Sequence, residues 1–142
     1  MATTDLSATD VLRSVPLFSG MTDRSIATIS ELAQPIAFEA GATLVAQGDP
    51  GDTFIVITTG AATVEQDGQR IRDLGPGDFL GEISLIDGGP RTATVVATEP
   101  IDGLVIDCQG FRRLMDDFPV VRLDLVTALT ERLRSRAPNV SD

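Results

Sequence analysis

Between residues 35 and 107 the chain is cut into short runs by turn-forming glycines, prolines and aspartates. This interruption constrains the fold more than any other feature of the sequence. Residues 53–58 (TFIVIT) are rich in β-branched side chains, which suit a pleated surface. Gly60 interrupts, and residues 61–66 resume the pattern. Asp67-Gly68 is a strong two-residue hairpin signal, and residues 69–74 (QRIRDL) alternate polar and apolar. Gly75-Pro76-Gly77-Asp78 forms another turn, and residues 92–97 and 103–107 close the set. Many short strands divided this way leave edges that must be closed off, so the pattern points to a β-barrel or jelly roll.

The flanks follow a different period. Val11, Leu12 and Val15, then Ile26, Ile29, Leu32 and Ala33, recur at helical spacing. Ser7 and Thr22 are suitable N-caps. Pro16 and Gly20 break the run, which predicts two short helices joined by the turn Pro16-Leu17-Phe18-Ser19-Gly20. From Gln109 the helical period returns. Phe111, Leu114 and Met115 share one face, and after Pro119 a stripe of Leu125, Val126, Leu129 and Leu133 follows. This stripe reads as packing or a dimer seam. Arg132, Arg134 and Arg136 lie in the last turns, where cations suit the helix dipole. The length of 142 residues predicts one domain.

The absent residue types exclude whole classes of chemistry. There is no histidine, and all 11 basic residues are arginine. Ser-His-Asp and Cys-His nucleophiles, and the commonest zinc, copper and iron ligand, are therefore missing. Without lysine there is no Schiff base, and a Walker loop lacks its cation. The carboxylates Asp49, Asp52, Asp78 and Glu82 stand beside glycines as turn chemistry rather than as an acid–base pair, so no enzyme is expected. A net charge of −10 argues against a nucleic-acid footprint. No apolar run approaches the ~20 residues of a membrane span, and an acidic N-terminus with Asp5 and Asp10 does not resemble a signal peptide. Cys108 is alone, which suits a reducing cytoplasm. No metal or cofactor is expected.

One stretch interrupts the strands: Gly81-Glu82-Ile83-Ser84-Leu85, a short spacer, then Pro90-Arg91-Thr92-Ala93. Gly81 allows close backbone approach or an unusual φ. Residues 82–86 suffice for one helical turn, whose free N–H groups favour an anion. Arg91 is the only cation between Arg72 and Arg112, and with such a turn it makes a phosphate clamp. A carboxylate would repel phosphate, so Glu82 makes sense as an acceptor for a hydroxyl beside it. Phosphate plus an adjacent sugar hydroxyl describes a nucleotide.

This stretch resembles the phosphate-binding cassette of the cyclic nucleotide-binding domain family, whose members include bacterial activators, kinase regulatory subunits and gated channels. Gln47-Gly48-Asp49-Pro50-Gly51-Asp52, the Gly60 turn and Leu74-Gly75-Pro76-Gly77-Asp78-Phe79 resemble family landmarks in the same order. The resemblance spans residues 10–136, leaving tails at 1–9 and 137–142. It implies a mainly β, α+β fold: an eight-stranded β-jelly-roll barrel with flanking N-terminal helices and two C-terminal helices. It also implies roles for residues. Glu82 accepts the ribose 2′-hydroxyl, helped by backbone around Gly81. Arg91 pairs with the cyclic phosphate, and backbone at Ile83 and Ser84 with the Thr92 hydroxyl completes the cradle. Val64, Ile71 and Leu80 line the wall beneath sugar and base. The final helix is the lid: Arg132 faces the pocket, and Arg136 either stacks on the purine or stands in solvent. Arg70 and Arg72 are expected to be exposed.

The expectation is thus a cyclic-nucleotide sensor, cAMP favoured over cGMP, without its own output domain. It would act through an unidentified downstream protein or a homodimer formed by the C-terminal helix. The alternative is a degenerate cassette that serves as an interaction or dimerisation module and binds no nucleotide.

Overall fold

A computed structural model of the protein describes residues 8–81 and 90–136, without the side chains of 16, 17, 128, 129 and 131–136. Three helices open the described chain: α1 (Ala8–Arg13), α2 (Pro16–Ser19) and α3 (Asp23–Ser30). The segment expected to be a plain turn is itself a single helical turn. Val15 is extended, Pro16 occupies the first helical position and Gly20 ends it. Proline is suited to that first position because its missing N–H would have no helical acceptor there. The Thr22 hydroxyl caps α3 by accepting from the Ser25 N–H at 3.2 Å. The expected cap at Ser7 lies outside the described residues.

Eight strands follow among the described residues: β1 (Gln34–Phe38), β2 (Thr43–Val45), β3 (Thr53–Thr59), β4 (Ala62–Gln66), β5 (Gln69–Leu74), β6 (Phe79–Leu80), β7 (Thr94–Ala97) and β8 (Ile101–Asp107). They form two antiparallel four-stranded sheets, ordered β1-β8-β3-β6 and β2-β7-β4-β5. This is the expected jelly roll. At the β4–β5 hairpin Asp67 and Gly68 take φ of 55° and 82°, the positive pair that a tight two-residue turn requires. The last two helices are α4 (Cys108–Asp117) and α5 (Pro119–Arg136).

Strand β3 explains how the core divides. It runs between β8 and β6 and is buried on both faces. Alternation sends Phe54 and Val56 toward the helices, where they join Leu12, Phe18, Ile26, Ile29, Phe111 and Leu125. Phe18 meets Phe54 edge-on, with ring centroids 5.7 Å apart. Ile57 projects the other way, into the barrel interior with Ala62, Val64, Leu74, Val95 and Ala97.

Helix α5 divides the expected apolar stripe. Val121 and Leu125 are buried against the helical core, whereas Val120, Leu123 and Val126 stand exposed. Leu125 and Val126 are 100° apart around the axis, so one inward residue places the other outward. The side chains of Leu129 and Leu133 lie outside the described residues. Near its start the helix is tied to the opposite end of the chain. An Asp124 carboxylate oxygen accepts from the Thr22 N–H at 2.7 Å, 102 positions away in sequence. Among the described residues no helix is long and apolar enough to cross a membrane.

Candidate functional site

The site is assembled around Arg91. Its backbone is held by the turn at residues 47–52. The Arg91 N–H donates to the Asp49 carbonyl at 2.8 Å, and the Gly48 N–H donates to the Arg91 carbonyl at 2.9 Å. Pro50 and Pro90 form an isolated bridge beside them. Gln47 N–H donates to the Thr94 hydroxyl at 2.9 Å, which ties the same turn to the start of β7. The glycine-rich turn is therefore a clamp that fixes where the Arg91 side chain leaves the backbone.

That side chain runs inward. Arg91 is only 8% exposed, and apart from Ser25 it is the one buried polar or charged residue among those described. Its Nη2 donates to the Thr53 carbonyl and to the Thr53 hydroxyl, the latter at 2.9 Å. Burial pulls the Arg91 pKa below its ordinary value, opposed by the nearby Cys108 thiol and Asp52 carboxylate. Among the described residues no carboxylate forms an ion pair with it. The guanidinium stays charged at any physiological pH. A buried cation whose described hydrogen-bond partners are neutral oxygens is stabilised by an incoming anion.

Gly81 makes this arrangement possible. It follows β6 with a φ of +89°, in the left-handed region. A Cβ there would fall 2.5 Å from Arg91 Nη1 and 2.5 Å from the Thr53 carbonyl oxygen. The missing side chain is the space the guanidinium occupies.

The remaining expected residues are placed as follows. Val64 is buried in the barrel interior and Leu80 is half-buried against the same cluster. Ile71 is 53% exposed and stands outside that cluster, at a shift in the β4–β5 register. Thr92 is exposed, one residue beyond Arg91. Glu82, Ile83 and Ser84 lie outside the described residues. Arg132 and Arg136 belong to α5, and their side chains are likewise outside the description.

One functional residue escaped the sequence reading, and the facing of another was not foreseen. Thr53 stands in the β-branched run TFIVIT, but its partner lies 38 residues away and nothing local announces it. Arg70 and Arg72 are both exposed as expected, yet they face opposite sides. Arg70 donates outward to Asp73, which also accepts from Thr63. Arg72 pairs with Val64, as Leu74 pairs with Ala62, which places Arg72 on the inner face of the sheet. The shift at Ile71 breaks the simple alternation that grouped the two arginines.

The sequence profile of the cyclic nucleotide-binding domain family matches residues 35–118. A CRP-like cAMP-activated global transcriptional regulator of Mycobacterium tuberculosis is 30% identical across 94% of this chain, which spans 62% of that relative's length. The crystal structure of the N-terminal domain of a transcriptional regulator from Streptomyces coelicolor superposes with a TM-score of 0.80 at 33% identity, covering 94% of this chain and 96% of that one. The regulatory domain of Toxoplasma gondii PKA, solved with cAMP, superposes with a TM-score of 0.69 at 28% identity, covering 87% of this chain and 49% of that one.

Proposed function

The chain belongs to the cyclic nucleotide-binding domain family, and we propose that it is a cytoplasmic sensor of a cyclic nucleotide, with cAMP preferred to cGMP. One observation carries the reading: Arg91 is a buried cation whose hydrogen-bond partners among the described residues are neutral oxygens, at the end of the segment whose sequence resembles a phosphate cassette. The cyclic phosphate supplies an anion to this cation. Glu82 accepts from the ribose 2′-hydroxyl, the backbone N–H groups at Ile83 and Ser84 join Thr92 around the phosphate, and Gly81 lets the chain pass close by. Val64 and Leu80 form the apolar wall, with Ile71 at its open edge. No covalent step is involved.

The preference for cAMP draws on relatives described as cAMP-activated or solved with cAMP. Helix α5 is the lid in this reading, with Arg132 assigned to the pocket and Arg136 either to the purine or to solvent. Ligand shifts the lid only by as much as it binds the closed state better. The output passes to a downstream protein or to a second copy of the chain. The outward side chains Val120, Leu123 and Val126 supply an apolar strip for the latter.

Calorimetric titration with cAMP and cGMP, on the native protein and on Arg91→Leu, tests the proposal. Removing one side of a buried charge pair costs about 2–5 kcal/mol, so Arg91→Leu should weaken binding by roughly 30-fold or more. Equal dissociation constants for the two proteins would overturn the assignment of Arg91.

A further inference from the structure

The inner face of β3 carries a residue that packing does not explain. Phe54 and Val56 point to the helical core, and Ile57 points into the barrel. By alternation Thr53 shares the face of Ile57. A valine there would preserve the strand and its burial. A hydroxyl stands there instead, and its partner is Arg91 Nη2 at 2.9 Å.

We infer that the Thr53 hydroxyl is a positioning group for ligand: it fixes the rotation of the Arg91 guanidinium, and so decides which N–H groups face the phosphate. The inference rests on the cyclic-nucleotide reading above. A guanidinium has five N–H donors in a planar fork. The two on Nη2 meet two acceptors of one residue, the carbonyl and the hydroxyl of Thr53. Two acceptors on one nitrogen define the plane of the fork as well as its depth, which a single acceptor cannot do. The three remaining donors are on Nε and Nη1. Nη1 lies over the missing side chain of Gly81, where residues 82–89 begin. Nη1, whose donors Thr53 does not take, is thus the terminal nitrogen beside Gly81, next to the start of the cassette sequence.

Both anchors of this arrangement are rigid. Thr53 lies in register with Asp107 of β8, and the Arg91 backbone is clamped by Asp49 and Gly48. The carbonyl is fixed by the backbone, so the hydroxyl is the part that the sequence can vary. Without it the fork keeps one acceptor and rotates about that contact, and one N–H of a buried cation loses its partner.

The two exocyclic oxygens of a cyclic phosphate are stereochemically distinct. A fork held at a fixed rotation treats them differently, and a freed fork treats them more alike. This separates positioning from simple structural support. Affinities for cAMP and for its Rp and Sp phosphorothioates should be measured on the native protein, Thr53→Val, Thr53→Ser and Arg91→Leu. Thr53→Val should bind cAMP about tenfold more weakly, the scale of one charge-assisted hydrogen bond. It should also change the ratio of Rp to Sp affinity by at least about threefold, a smaller effect because the carbonyl contact remains. Thr53→Ser, which keeps the hydroxyl, should restore both. A variant that merely destabilised the fold would weaken both diastereomers equally. An unchanged Rp/Sp ratio in Thr53→Val, whatever its affinity, overturns the inference and leaves the role of Arg91 intact so long as Arg91→Leu weakens binding as expected above. Absence of binding by the native protein overturns both.

Discussion

Replacing Gly81 by alanine tests the site at its tightest point. Two separate costs arise. At a φ of +89° an L-residue is strained, by about 1–2 kcal/mol. The new Cβ would also sit 2.5 Å from the Thr53 carbonyl oxygen and 2.5 Å from Arg91 Nη1. The carbonyl belongs to a strand paired on both sides, with Asp107 across from Thr53 itself and Leu80 across from Ile55, so it cannot retreat freely. Overpacking of this kind adds about 1–3 kcal/mol. The total, about 2–5 kcal/mol, corresponds to a fall in melting temperature of roughly 6–15 °C for a domain of this size. The guanidinium is the softer of the two neighbours, so it moves, and losing one of its charge-assisted hydrogen bonds to the proposed nucleotide should weaken binding by about tenfold or more. Gly41 supplies the control. Its φ is +90°, and nothing lies within 4 Å of its Cβ position. Gly41→Ala therefore carries the backbone strain without the collision. Thermal melting and calorimetric titration of both variants separate the two costs. If Gly81→Ala loses no more stability and no more affinity than Gly41→Ala, the close packing of Arg91, Gly81 and Thr53 does not govern the site.

Two further outcomes follow from titratable groups. Burial pushes the Asp124 carboxyl up, but hydrogen bonds from the Thr22 N–H, Ser25 and Thr22 outweigh it and hold its pKa below the ordinary value. A folded pKa below the unfolded one adds stability above the unfolded value near 3.9, and that stability is lost as pH falls through the folded pKa. Asp124→Asn should therefore unfold at lower urea than the native protein at pH 7, by about 1 kcal/mol, and the gap should close in acid. A gap independent of pH would mean that the carboxylate charge contributes nothing. The Cys108 thiol is fully buried and burial pushes its pKa up, with Arg112 and Arg91 opposing. At pH 8 a thiol reagent should label it at the rate of opening rather than of free cysteine, and rapid labelling of the native protein would contradict the packing.

How much of this was readable in the chain depends on distance along it. The Asp67-Gly68 hairpin, the Thr22 cap and the β-branched run of β3 each act within a few residues, and each stands where its residue types placed it. Gly81 and Arg91 could be singled out together because they sit in one continuous stretch. The single helical turn at Pro16–Ser19 was read as a plain turn, since a proline and a glycine four apart suit either form. The shift at Ile71 was invisible, because one extra residue reverses the facing of Arg70 relative to Arg72 without altering composition.

By itself the sequence determined a strand-rich middle between helical flanks, which chemistries are impossible without histidine or lysine, and that arginine is the one side-chain cation available. Only the tertiary structure decided what that cation meets. Alternation assigns a residue to a face, but the face does not name its partner. Arg91 reaches Thr53 across 38 residues and Asp124 reaches Thr22 across 102, because sheet register and helix packing bring those positions together. The conversion of a surface-type residue into a buried, oriented cation is therefore a product of the fold, carried by the clamp at Gly48 and Asp49 and by the side chain that Gly81 lacks.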